Sequence, residues 1–184
     1  MKIKSRGVAL DAGCGDGFFT GLLEEMGFES YGIDVDKERI LHASKTYSSN
    51  FIISDSRLLP FCDQTFDFIL CRGLSTFYGD DNACIKQSEV LLSMLKVNGF
   101  LVFISGSDLT GRRTSIRNHR MQDVLLFFTK PSYNRSVYFI FAKKYLVKSL
   151  HGFAFSSLII TLSYLMTKLT GHGGYIVCVI KRKH

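Results

Sequence analysis

Several features that would assign a class at a glance are missing from this chain. Its 184 residues include only 2 prolines and no tryptophan. It has no internal repeat, no low-complexity tract and no linker rich in Pro, Gly or Ser, so one domain with a substantial core is expected. The five cysteines (Cys14, Cys62, Cys71, Cys84 and Cys178) are odd in number and hold no C-x-x-C spacing. That argues against a disulfide framework and a zinc site, and for a reduced, cytoplasmic protein without a metal. The opening MKIKSRGVALDAGC has the small-small-Cys ending of a lipoprotein leader. Its apolar region runs only from Val8 to Leu10 before Asp11, short of the roughly 7–15 apolar residues a leader needs. No leader is expected.

Acids are scarce in the second half. Residues 96–184 carry 14 Lys/Arg against Asp108 and Asp123 alone, a balance of +12, whereas residues 1–95 stand at −5. An acidic first half joined to a basic second half suggests two jobs within one domain. What is abundant is apolar: 46% of residues are hydrophobic and 16 are phenylalanine, which excludes a disordered chain.

The first half alternates regularly. GVAL, ESYGIDV, FIISD and FDFILC read as strands, and FFTGLLEEMG (closed by Gly27) and KERILHASKTY read as helices. ACIKQSEVLLSMLKVNG has apolar residues at helical spacing up to a Gly99 stop, and FLVFIS then reads as a buried strand. Such alternation implies right-handed crossovers and a parallel sheet. In the second half NHRMQDVLLFFTK and AKKYLVKSLHG read as helices and SVYFIF as short and extended. FAFSSLIITLSYL and GYIVCVIKRK read as a closing antiparallel hairpin around MTKLTGHGG. Residues 149–167 hold no Lys, Arg, Asp or Glu, which is membrane-span length. Their histidine, serines and strand character favour a buried strand, with peripheral membrane contact as the alternative and an integral span disfavoured.

VALDAGCGDGFFTGLL contains the main chemical signal. A strand ends near Asp11, glycine stands at 13, 15 and 17, and an amphipathic helix follows. Bare backbone at a helix N-terminus is where a ligand meets amides. A dinucleotide fingerprint reads G-x-G-x-x-G, but here the pattern is D-x-G-x-G-x-G. An acid two residues before the first glycine would repel a diphosphate and suits a ligand with an ammonium group.

At this point the chain resembles the class I, seven-stranded Rossmann-like S-adenosylmethionine-dependent methyltransferases, in the small-domain group of the type 11 kind. VALDAGCGDGFF resembles the family's first motif, YGIDVDKERI its second strand with an acidic end, and ISDSRLLPFCDQTFDFIL its adenine loop and fourth strand. LKVNGFLVFI resembles the turn before the fifth strand, and KKYLVKSLHGFAF a late helix. The resemblance implies a doubly wound, mostly parallel α/β sheet of seven strands with helices on both faces and a C-terminal antiparallel hairpin. It implies one methyltransferase domain over 1–184, with a cofactor-binding half (1–105) and an acceptor-side half (106–184), and S-adenosylmethionine as cofactor. By matching position, Asp34 would accept both ribose hydroxyls and Val35 would lie against the adenine. Asp55 would accept from the adenine amino group, and the Ser56 amide would meet a ring nitrogen. Asp11 and the Gly13 carbonyl would hold the methionine ammonium while Gly15 admits the rest of that tail. Cys14 and Cys71 complete the implied set. Asp36 reads instead as a helix N-cap, Asp67 as structural, and Phe61, Phe66 and Phe68 as core.

Two departures accompany the resemblance. The first strand begins by about residue 7, without the preceding helix that commonly covers the cofactor. A more exposed cofactor, a partner subunit (a homodimer) or the Gly106–Arg120 loop are the alternatives. Phe18 stands where a polar residue is common, leaving the methionine carboxylate to backbone amides or Arg72. After the fourth strand CRGLSTFY lacks the Asn/Asp-Pro-Pro-aromatic motif of enzymes that methylate base amines. A small-molecule acceptor leads. An RNA acceptor, suggested by the basic half, and a non-catalytic cofactor-binding or partner subunit remain as alternatives. His119, His151, His172, Tyr78 and Tyr133 are candidate acceptor-side groups, and no catalytic base is singled out.

Overall fold

The structure is a computed structural model that describes residues 6–106, 133–140 and 175–183. Within these, β1 (Val8–Ala12), α1 (Phe18–Glu25), β2 (Glu29–Asp34), α2 (Lys37–Thr46), β3 (Asn50–Ile53) and β4 (Phe66–Arg72) follow one another in strict alternation up to β3. A 3-10 turn (Ser75–Tyr78), α3 (Asp81–Ser93), β5 (Leu95–Gly106), β6 (Tyr133–Ile140) and β7 (Tyr175–Arg182) complete the order. The strands form a 7-stranded sheet in the order β3-β2-β1-β4-β5-β7-β6. The first five pair in parallel, and β7 runs antiparallel to both β5 and β6.

Side chains alternate between the two faces of the central strands. On one face Ala9, Phe68, Leu70, Val102 and Ile104 meet Phe19 and Leu23 of α1. On the other, Leu10, Ala12, Ile69, Cys71, Leu101 and Phe103 meet Cys84, Leu91 and Leu92 of α3. Phe66 and Phe68 are buried core residues, as the sequence suggests, and Phe61 packs edge-on against Phe66 from the margin. Asp67 is structural: it takes the Val8 amide at 2.8 Å and pairs with Lys96 at 2.8 Å. Helix α1 closes at Gly27, where φ is +93°. The Gly27 amide donates to the Glu24 carbonyl at 2.8 Å and the Phe28 amide to the Leu23 carbonyl at 3.1 Å, the pattern of a helix end that uses left-handed glycine.

Two sequence expectations need correcting. The third helix does not reach Gly99 but ends at Ser93, and β5 has begun by Leu95, which pairs with Phe66. The segment LKVNG is an irregular start to that strand. Asn98 takes φ of +64°, and a β-carbon on Gly99 would lie 3.1 Å from the Asp67 carbonyl oxygen. Gly99 is therefore bare because its own turn, with the Lys96 carbonyl oxygen 2.9 Å from such a β-carbon, and the neighbouring strand leave no room, not because a helix stops. At the antiparallel end, β7 pairs on its open side with Tyr133–Ile140, rather than with FAFSSLIITLSYL. The two paired strands are joined by residues 141–174, which lie outside the described residues. FAFSSLIITLSYL itself, the 149–167 run, Arg112, Arg113, Arg117, Arg120 and the three candidate histidines lie outside the described residues. Among the described residues no helix is long and apolar enough to cross a membrane.

Candidate functional site

The carboxyl edge of β1, β2 and β4 gathers the residues the sequence singles out. Gly13, Gly15 and Gly17 all take positive φ, at +80°, +54° and +82°. Gly17 is the N-cap of α1, and a β-carbon there would lie 2.8 Å from both Ala43 Cβ and the Phe51 ring. Neither the backbone conformation nor the space admits a side chain. The loop is pinned to β2 from beneath, because the Gly13 and Cys14 amides both donate to the Ile33 carbonyl at 2.9 Å.

Asp34 lies at the centre of this arrangement. It ends β2, half-buried, and its two carboxylate oxygens take different amides: Gly15 N–H at 2.8 Å and Asp36 N–H at 3.0 Å. Each oxygen keeps a free lone-pair direction. Asp36 is the N-cap of α2, accepting from the Glu38 and Arg39 amides at 3.0 and 3.1 Å, as its spacing predicts. Val35, between the two acids, is 63% exposed. An apolar residue left this bare on the rim of a glycine loop is a surface for a flat, weakly polar group.

Asp11 faces α1 and is only 2% exposed. The Thr20 hydroxyl donates to it at 2.8 Å. Burial is the main influence on its carboxyl and pushes the pKa up to about 6. The Thr20 bond and the Arg72 charge pull the other way, and the nearby Asp34 charge adds to the rise. Arg72 ends β4 with its guanidinium carbon 5.1 Å from the Phe19 ring centroid, so it is stacked on α1 and acts on Asp11 through space. Cys14 and Cys71 are buried, and burial raises both thiols. Cys71 belongs to the core on the α3 face.

Asp55 and Ser56 form a second group. Asp55 is turned onto Arg57, whose Nε reaches both oxygens at 3.0 Å and whose Nη2 closes a salt bridge at 2.5 Å. These bonds hold the Asp55 carboxyl below the usual carboxylate range. The buried Ser56 donates to Gln87 Oε1 at 3.1 Å, and Gln87 Nε2 donates back to the Ser56 carbonyl at 2.9 Å. Helix α3 thus anchors this loop. The loop is tied to β2 by the Ser54 amide, which donates to the Asp34 carbonyl at 3.0 Å.

Sequence reasoning overlooked Thr20, Gln87 and the Arg39–Asp16 pair. Thr20 had a readable signal, since a hydroxyl three residues beyond the last glycine sits on the first turn of α1. Gln87 had none, lying 31 positions from Ser56. One further atom stands out: the Ser105 hydroxyl, at the carboxyl end of β5, is buried and has no hydrogen-bond partner among the described residues.

Comparisons with known proteins bear on the family and the fold. Residues 10–103 match a family model described as a methyltransferase domain. A Bacillus subtilis (strain 168) protein named as a methyltransferase, YqeM, is 30% identical over 106 residues, 55% of this chain and 43% of that protein. The malonyl-[acyl-carrier protein] O-methyltransferase of Buchnera aphidicola subsp. Baizongia pistaciae (strain Bp) is 37% identical over 95 residues, 51% of this chain and 37% of that protein. The chain thus matches less than half the length of either relative. Among solved structures, a SAM-dependent methyltransferase of Methanosarcina mazei superposes with a TM-score of 0.70 at 16% identity, covering 100% of this chain and 96% of that one.

Proposed function

Because the chain belongs to the methyltransferase domain family, we propose that it binds S-adenosylmethionine over the glycine loop. We propose further that it directs methyl transfer to a small anionic or amphipathic acceptor. The observation that carries the reading is Asp34, a carboxylate fixed by the Gly15 and Asp36 amides with acceptor capacity left on both oxygens. Two adjacent ribose hydroxyls need that arrangement, and hydrogen bonds to a charged group contribute about 1.5–3 kcal/mol each.

The remaining residues fit the same ligand. With Asp16 paired to Arg39, Asp11 and Asp34 make the loop surroundings acidic, which favours an ammonium and disfavours phosphate. Val35 offers its exposed face to the adenine. The Ser56 amide and Asp55 border the same edge, and Asp55 would share its carboxylate between Arg57 and the adenine amino group. The Gly13 carbonyl and Asp11 face the ammonium end. Cys14 and Cys71 contribute packing around the loop and behind it.

When bound, the cofactor supplies a methyl group on a positively charged sulfur. The chain's own contribution is alignment: an in-line displacement needs the acceptor atom held on the axis of the breaking bond, and no metal. Acceptors in this architecture enter at the carboxyl ends of the strands, where β5 presents the Ser105 hydroxyl, unpartnered among the described residues. In this reading residues 1–105 hold the cofactor and 106–184 face the acceptor. The +12 balance of residues 96–184, with Arg112, Arg113, Arg117 and Arg120 just beyond β5, supports an anionic acceptor.

Calorimetry with S-adenosylhomocysteine tests the cofactor half of the proposal. Asp34→Ala should weaken binding at least tenfold, roughly 1.4 kcal/mol. Equal affinity in the two proteins would count against the assigned role of Asp34. For the acceptor half, Arg112→Ala combined with Arg113→Ala should reduce turnover of an anionic acceptor and leave cofactor affinity unchanged. Unchanged turnover would remove that cluster from the acceptor site.

A further inference from the structure

The glycine loop is held from above as well as from beneath. Arg39, in the first turn of α2, sends Nε to Asp16 Oδ1 at 3.1 Å and Nη2 to Asp16 Oδ2 at 2.9 Å, a two-pronged pair across 23 positions. The guanidinium also rests on Gly15. A β-carbon built there would lie 2.6 Å from Arg39 Cζ and closer still to Nη2. Gly15 is the residue whose amide fixes Asp34. Its φ of +54° is one of several backbone conformations open to glycine. Asp36 links the same parts from the side, taking the Arg39 amide while donating its own to Asp34.

We propose that the Arg39–Asp16 pair is a latch that pre-organises the cofactor loop, with both residues acting as positioning residues for Gly15 and Asp34. The inference rests on the reading of Asp34 as the ribose acceptor. The planar guanidinium covers Gly15 and ties its neighbour, Asp16, to α2, which removes the alternative loop conformations in which the Gly15 amide leaves Asp34. A ligand arriving at Asp34 then meets a formed site and does not have to order the loop itself. Both side chains are about half exposed, at 49% and 57%. A pair so exposed adds little to global stability, so its effect should appear in ligand affinity and loop exchange, with the melting temperature unchanged.

The test uses the full chain with S-adenosylhomocysteine as probe. Arg39→Ala and Asp16→Asn should melt with the unaltered protein and bind the probe about fivefold more weakly at low salt. The difference should shrink toward 1 M salt as screening dissolves the latch in the unaltered chain. Arg39→Lys should recover only part of the affinity, because an ammonium lacks the planar fork. Without the probe, hydrogen exchange at the Gly15 amide should speed up in both variants. Unchanged probe affinity in both variants overturns the latch, as does a loss that salt does not alter. If the unaltered protein does not bind the probe at all, the reading of Asp34 fails and the latch fails with it. The two failures are therefore told apart by the unaltered chain alone.

Discussion

Replacing Asp11 with asparagine should make the protein more stable at neutral pH while weakening its site. Asp11 is 2% exposed, with Thr20 donating through its hydroxyl and its backbone amide, and burial lifts its carboxyl from the ordinary 3.8 to about 6. A raised carboxyl means that between these values the folded chain holds a proton the unfolded chain has released. Stability therefore falls as pH rises through that window, and the full cost is present above pH 6. A gap of about two pH units corresponds to about 3 kcal/mol. Asparagine cannot ionise, keeps the shape and can still accept from Thr20. Its amide brings an unpaired N–H₂ costing about 1–3 kcal/mol, but that cost does not vary with pH. The sound quantity is thus the stability of Asp11→Asn minus that of the unaltered chain. It should rise by about 3 kcal/mol between pH 4 and pH 7.5, mostly between 4 and 6. Urea unfolding of both proteins across that range measures it, and for a domain of this size 1 kcal/mol is roughly 2–4 °C in melting temperature. At pH 7.5 the same variant should bind S-adenosylhomocysteine more weakly, having lost the charge that faces an ammonium. A difference that stays flat from pH 4 to 7.5 would refute the buried-charge argument.

Other consequences are equally direct. Gly17→Ala should destabilise by at least about 2 kcal/mol in urea melts, since the new β-carbon meets Ala43 and Phe51 at 2.8 Å on a backbone with φ of +82°; a neutral effect would show that the loop relaxes freely. Thr20→Val should push Asp11 still higher by removing its hydroxyl donor, moving the pH window of the previous comparison upward; an unmoved window would show that the 2.8 Å bond does not form in solution. Ser105→Ala should leave the melting temperature equal or slightly raised, because its hydroxyl has no partner among the described residues to lose; a fall equivalent to about 2 kcal/mol would reveal a bond there.

Legibility in the sequence followed locality. The strand-glycine-helix unit, the Gly27 stop, the Asp36 cap and the acid closing β2 are each decided by neighbours within a few positions, and each stands where the pattern puts it. The misread elements depend on distant partners. LKVNG has helical apolar spacing, yet Leu95 is claimed by Phe66 on the next strand. β7 could be given an antiparallel partner from its β-rich character, but nothing local says that the partner is Tyr133–Ile140. Asp55 shows a subtler limit. Its place after β3 was legible, whereas its pairing with Arg57 depends on the shape of a turn. Arg39 reads as one more exposed helix charge until Asp16, 23 positions earlier, folds back against it.

The central claim is that an acid-flanked glycine loop with Asp34 selects S-adenosylmethionine over a dinucleotide. Calorimetric titration of one preparation with S-adenosylhomocysteine and with NADH tests it most directly. The account predicts micromolar binding of S-adenosylhomocysteine, roughly −8 kcal/mol, and much weaker binding of NADH. Tighter binding of NADH, or no binding of S-adenosylhomocysteine, would contradict it.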